Sequence, residues 1–279
     1  MNALVGTTSG KRRAASESIE SVSYSEERAV AGHSHWSSIK HKKAVVDSRR
    51  GRLWSKLAKN IIVAAKAGGG DPEQNLTLRY AIDKAKDANM PRDTIEKAVK
   101  RGTGEIEGAD YEEIIYEGYG PAGVAVMAAV LTDNRNRTAG EVRKIFERSG
   151  GSLGSTNCVA FGFNRRGLFT VGADAADEER IMELAIAGDG DYRQDGDVWE
   201  ITCDPDQFGE IKDSLATAEL KTEVAEVSMV PISTVTLDVE AGRKVLNLME
   251  ALEDHDDIQN VFANFDIPQE VMDQLAADN

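Results

Sequence analysis

The chain has 279 residues, 41% of them apolar and 29% charged, with a formal net charge of −15. That length asks for two or three domains rather than one core, and the composition is that of a folded globular protein, not a disordered one. The longest apolar run, residues 124–131, is strand-sized and far below the roughly 18 residues a membrane span needs, so a soluble chain with no membrane partner is expected.

Residues 1–30 are rich in Ser and Glu and show no apolar period, which predicts a disordered extension; a translation start near Val30 would account for them equally well. They hold no apolar stretch of the secretory kind, and Glu17, Glu20, Glu26 and Glu27 argue against an acid-poor transit peptide. With only two distant cysteines, Cys158 and Cys203, neither a disulfide framework nor a zinc site is indicated, and a cytoplasmic location fits.

The sign of the charge then reverses. Residues 31–66 carry nine bases, Lys40, Lys42, Lys43, Arg49, Arg50, Arg52, Lys56, Lys59 and Lys66, against the single acid Asp47. A basic block on an acidic chain suits a polyanion, and the interleaved His33, His35, Trp36, His41 and Trp54 favour nucleic acid over a membrane surface. From Ser48 the spacing predicts a helix with Leu53, Trp54, Leu57, Ile61 and Ala64 on one side. Arg49, Arg52, Lys56, Lys59 and Lys66 fall together elsewhere on the wheel as a cationic ridge with no carboxylates at i+4 to pair with it. Gly68 to Gly70 end the helix, and two more follow: residues 75–88, with Leu78, Ile82 and Ala85 inward, and one from Pro91 to Gly102, with Ile95, Ala98 and Val99 inward.

Beyond residue 108 the period changes. Strands are predicted at residues 111–117 and 123–131 and a helix at 138–149. A hairpin is expected from residues 159–163 and 167–171, turning at Asn164, Arg165 and Arg166. A helix (177–187), a strand pair around DGDYRQDGD, a helix (207–218) and a strand (223–229) then give a β-α-β-β-α-β order, which is ferredoxin-like. A strand (234–239), a helix (241–253) and a strand (258–265) close the chain and complete the sheet begun at Tyr111 if the module between is an insertion. The fold class is thus α+β, a three-helix bundle followed by two α+β (ferredoxin-like) domains, the third inserted in the second. The expected boundaries are 31–108 for the basic domain, 109–164 with 230–279 for the discontinuous domain, and 165–229 for the insert. Residues 109–279 hold 13 bases against 35 acids and should repel nucleic acid.

Several long motifs, GHSHWSSIKHKKAVVDSRRGRLWSKL, AAKAGGGDP, NMPRDTIEKAV, IIYEGYGPAGVAVM, LTDNRNRT, GGSLG and AEVSMVP, stand in the order seen in the YebC/PmpR family, which the chain resembles from Ala31 to about Gln274. The resemblance implies an N-terminal helical bundle and two α+β domains. Bacterial members are usually labelled DNA-binding transcriptional regulators, mitochondrial members are translational activators, and a ribosomal role has been put forward for bacterial members too.

For the sites, His33, His35 and His41 lack a fourth ligand at metal spacing and read as donors or stacking groups, and Trp36 as a base-stacking platform. Asp189, Asp191 and Glu200 match three positions of a calcium loop, but Arg193 and Gln194 occupy positions that break it. The glycines of EGYGPAG and GGSLG lack the context of a phosphate-binding loop. Arg135, Arg137, Arg143 and Lys144 form a second basic group that either extends the nucleic-acid surface or pairs with neighbouring acids. No nucleophile with a base, carboxylate pair or metal constellation is recognisable, so the reading is a non-enzymatic binder without metal or cofactor, acting as a monomer. A flexible basic arm with aromatics suits irregular RNA, which favours ribosomal RNA, with basic ribosomal proteins as further partners for the acidic domains; a DNA-binding transcriptional regulator is the alternative.

Overall fold

The structure is a computed structural model that describes residues 47–277. Helices α1 (Asp47–Gly68), α2 (Leu76–Asp87) and α3 (Arg92–Gly102) form the N-terminal bundle. Leu57, Ile61 and Ala65 of α1 meet Leu78, Ile82 and Ala85 of α2 and Ile95 and Ala98 of α3 in a core of their own. Asn75 caps α2 by accepting from Leu78 N at 3.1 Å, and its amide also donates to Ala64 O and Gly69 O, each at 2.8 Å, tying the glycine turn to both helices. Gly102 lies where α3 crosses α1: a Cβ there would stand 2.5 Å from Ile62 O and 2.6 Å from Ala65 Cβ.

Leu53 departs from the expected packing, being 44% exposed. At about 1.5 Å per residue α1 is some 33 Å long, about twice the length of α2 or α3, so its first turns project past its partners. Trp54 marks the limit of the core, its indole N–H donating to Ala88 O at the end of α2 at 3.0 Å.

The second unit is built on an antiparallel sheet of order β3-β1-β2-β9, from β1 (Glu112–Tyr119), β2 (Ala125–Thr132), β3 (Ser152–Leu153) and β9 (Ile258–Ala263). Helices α4 (Arg135–Arg148) and α7 (Val239–Glu253) cover one face, with Phe146, Val245, Leu248, Met249 and Leu252 buried against Val126, Ala128 and Val130. On the other face Met127 and Phe262 pack on Val159 and Phe163. The buried carboxylate of Glu117 accepts N–H groups from Asn157, Val159 and Ala160 at 2.7 to 2.9 Å, which pins the loop that leads into the insert.

The insert runs β4 (Phe163–Gly172), α5 (Glu178–Ala187), β5 (Asp191–Asp195), β6 (Val198–Cys203), α6 (Phe208–Thr217) and β7 (Thr222–Pro231), in the ferredoxin-like sheet order β5-β6-β4-β7. Its core holds Phe169, Ile181, Ile201, Ile211 and Leu215. The expected hairpin turn at Asn164 to Arg166 does not exist. Those residues lie inside β4, in register with Val230, Met229 and Ser228 of β7, because a long partner strand satisfies their backbone groups. Glu200, one of the calcium-loop matches, is buried and takes Arg193 through two hydrogen bonds of 3.2 Å, while burial still pushes its carboxyl up to about 7.

The strand expected at 234–239 is reduced to β8 (Val235–Thr236), paired in parallel with β10 (Phe265–Asp266). A helix that the sequence reading missed, α8 (Gln269–Ala277), follows Pro268 and packs Leu275 toward Gly242 of α7. Pro268 ahead of Val271, Met272 and Leu275 was the available signal.

Gly102→Ala is expected to cost about 1 to 3 kcal/mol through overpacking of the α1–α3 crossing. Gly51→Ala, with nothing within 4 Å of the new Cβ, is expected to gain about 0.5 to 1 kcal/mol of helix propensity. Urea midpoints followed by far-ultraviolet circular dichroism check both signs.

Candidate nucleic-acid interface

Positions 52, 56 and 59 are four and three apart, so Arg52, Lys56 and Lys59 share one face of α1. They do not point at open solvent. The face lies against the end of α7 and the acidic turn that follows it, residues 253–257. Arg52 donates to Asp254 O at 3.4 Å and pairs with its carboxylate at 3.3 Å. Lys56 donates to Glu253 O at 2.6 Å, and Lys59 to Asp256 O at 3.0 Å and Asp257 Oδ1 at 2.6 Å. The last carbonyls of a helix have no partner within it and carry the negative end of its dipole, so α1 supplies to α7 the donors and positive charge that its C-terminus lacks. Lys59 also sits 5.6 Å from the centre of the Tyr111 ring, and Lys66 pairs with Asp110 beside it.

Asp257 is the meeting point. Its carboxylate accepts from Lys59, from Arg137 at 2.8 Å, from Thr138 Oγ1 at 2.7 Å and from Thr132 Oγ1 at 3.2 Å. Burial by itself would raise its pKa, but the hydrogen bonds from Lys59, Thr138 and Arg137 and the Lys59 charge outweigh burial and hold the carboxyl well below the usual carboxylate range. The DNRNRT motif therefore has structural work in this fold: Asn134 caps α4 by accepting from Arg137 N at 3.1 Å, while Arg137 and Thr138 hold Asp257. Arg137 also pairs with Asp133 at 2.9 Å. His255 accepts Asp257 N–H at Nδ1 (3.1 Å), which leaves Nε2 to donate to Glu141 at 3.0 Å.

The second basic group splits accordingly. Arg137 is committed to acids, whereas Arg135, Arg143 and Lys144 are exposed on α4, and Arg143 and Lys144 make no ion pair among the described residues. Lys144 lines one wall and Arg52 and Lys59 the other of a cleft of about 770 Å³ between α4 and α1, floored by the acidic turn. Arg52 and Lys59 of the first basic group and Arg137 and Lys144 of the second, 78 to 92 positions apart in sequence, thus border one cleft. His33, His35, Trp36, Lys40, His41, Lys42 and Lys43 lie outside the described residues, as do the side chains of Arg49 and Arg50. What the sequence reading missed is the acidic side of the interface, Asp254, His255 and Asp257. Its signal was the EDHDD run directly after a helix.

The family described as TACO1/YebC protein N-terminal domain matches residues 34–105, and the TACO1/YebC second and third domain matches residues 111–265. A "probable transcriptional regulatory protein" of Natranaerobius thermophilus is 54% identical over 248 residues, 88% of this chain and 99% of that protein. One from Rubrobacter xylanophilus is 51% identical over 249 residues, 88% of this chain and all of that protein. The crystal structure of a conserved hypothetical protein from Aquifex aeolicus superposes with a TM-score of 0.76 at 48% identity, covering 85% of this chain and 99% of that one.

The depressed pKa of Asp257 has a defined sign. Its stabilisation is present above the unfolded carboxylate value of about 3.9 and is lost as pH falls toward the lower folded value. Urea midpoints at pH 7, 4.5 and 3 should fall for the native chain. Asp257→Asn should start lower at pH 7 and change less; equal slopes for the two would remove Asp257 as the acid-sensitive group.

Proposed function

Because the chain belongs to the TACO1/YebC family, we propose that it is a non-enzymatic regulator of gene expression that binds nucleic acid through its basic N-terminal segment, with ribosomal RNA as its ligand. The observation that carries this reading is the segregation of charge, nine bases against one acid in residues 31–66 and a net −22 in residues 109–279. His33, His35, Trp36 and His41 add donors and stacking faces to Lys40, Lys42 and Lys43, the combination that suits unpaired bases. Arg49 and Arg50 continue the basic run into α1, Lys144 extends it across the cleft, and Arg143 is exposed beside Lys144 on α4.

RNA is preferred over duplex DNA on one geometric ground. A recognition helix lays a preformed free face in the major groove, whereas in the free protein the cationic face of α1 beyond Arg50 is covered by the acidic turn. DNA remains the second reading, favoured by the name the bacterial relatives carry, probable transcriptional regulatory protein. The protein acts in the cytoplasm as a monomer in this reading, and no described helix is long and apolar enough to cross a membrane. The acidic domains stand away from the RNA or touch basic ribosomal proteins.

Anisotropy titrations with RNA and DNA of one sequence, single-stranded and duplex, separate the two readings, and co-sedimentation with ribosomal particles at low and high salt tests the ribosomal one. Tighter binding to duplex DNA with no ribosomal co-sedimentation would favour the DNA reading. Replacing Lys40, Lys42 and Lys43 by Gln is expected to lower the slope of log affinity against log salt by about two to three, at roughly 0.7 to 0.9 per phosphate lost. Trp36→Ala is expected to cost about 1 to 3 kcal/mol of affinity with little change of slope, because a stacking face and no charge is lost.

A further inference from the structure

We propose that the acidic turn at residues 253–257 is a built-in competitor for the nucleic-acid ligand: it holds Arg52, Lys56 and Lys59 in the free protein, and RNA takes these cations by displacing it, swinging the bundle off the acidic domain. The proposal rests on the nucleic-acid reading above and adds its regulation.

Four observations carry it. The turn presents to the ridge what an RNA backbone would, closely spaced anionic and carbonyl oxygens at 2.6 to 3.4 Å from the cationic nitrogens. The contact between the bundle and the rest of the chain is mainly polar, with Tyr111, which packs against the core of the bundle, as its apolar part. The core of α1 to α3 shares no buried residue with the core beneath α7, and the further bridges to the insert are Lys84–Glu226 at 3.5 Å and Lys212 over the Tyr80 ring at 5.4 Å. An interface of that kind is exchangeable in water, unlike an apolar one. The connection between the two units, residues 103–110, is exposed throughout and contains Gly104 at φ +81° and Gly108, so it can act as a hinge without unfolding either side. Finally, the oxygens of the turn are held ready on their own side: Asp257 keeps Arg137, Thr138 and Thr132 when Lys59 leaves, so opening strands no buried carboxylate.

The two states compete for the same three cations, so whatever loosens the turn tightens RNA binding, and whatever binds RNA loosens the turn. Lys144, which makes no ion pair among the described residues, lines the same cleft and offers phosphate a first foothold there before the turn yields.

The test uses the full chain, a mixed-sequence single-stranded RNA, and a dye pair at Glu96→Cys on α3 and Glu270→Cys on α8, with Cys158→Ser and with Cys203 buried. Saturating RNA is expected to lower transfer between the dyes. Asp254→Asn with Asp257→Asn is expected to lower it without RNA and to tighten RNA binding by about fivefold or more, relative to the charge-matched control Asp174→Asn with Glu179→Gln. Circular dichroism checks that the double variant is folded. If it is not, the RNA-induced change of transfer in the otherwise native chain decides alone. RNA binding with unchanged transfer, and with equal affinity in double variant and control, would overturn the competition and leave the nucleic-acid reading standing. No RNA binding by either the native chain or the opened variant would overturn the competition and the RNA reading together.

Discussion

The arrangement of this protein depends on how one buried carboxylate is satisfied. Asp257 sits where the turn after α7, the start of α4 and the middle of α1 converge, and it is ionised because Lys59, Arg137, Thr138 and Thr132 donate to it together. Two of its oxygens thus serve three separate pieces of chain. Lys59 is the donor that α1 contributes to this set, which is how the position of α1 relative to the acidic domain is specified although the two buried cores are separate.

Charge segregation explains the rest of the geometry. A chain with a basic first part and a strongly acidic remainder attracts itself, and the closed form collects part of that attraction where Arg52, Lys56 and Lys59 meet the carbonyls and carboxylates at the C-terminus of α7. Among the described residues the other ion pairs of the bundle with the rest of the chain, such as Lys84 with Glu226, involve exposed or half-exposed groups. The same contacts that set the closed arrangement are those a phosphate backbone would replace. Structure and proposed function therefore draw on one set of cations.

The insert leaves this interface untouched. β4 and β7 pair along almost their whole lengths, and the loop that feeds β4 is pinned by Glu117 rather than by the bundle. An insertion held by its own sheet and its own apolar core, with Phe169 and Ile211 at its centre, can be carried between β1–β2 and α7–β9 without changing how those pair.

From the sequence alone the helices of the bundle, the ferredoxin-like order of the insert and its placement between the halves of another sheet were all legible, because periodicity, Gly and Pro punctuation and N-caps such as Asn75 are local signals. The α8 helix and the unbroken β4 were not. Asn164 to Arg166 look like a turn in isolation, and only pairing with β7 makes them strand. The ridge of α1 was legible as a set of residues but not as a contact. Its spacing determined that Arg52, Lys56 and Lys59 share a face, while which surface that face meets was decided by tertiary structure. The acids that meet it lie about 200 positions away, and long-range electrostatic pairing leaves no periodicity for a sequence to display.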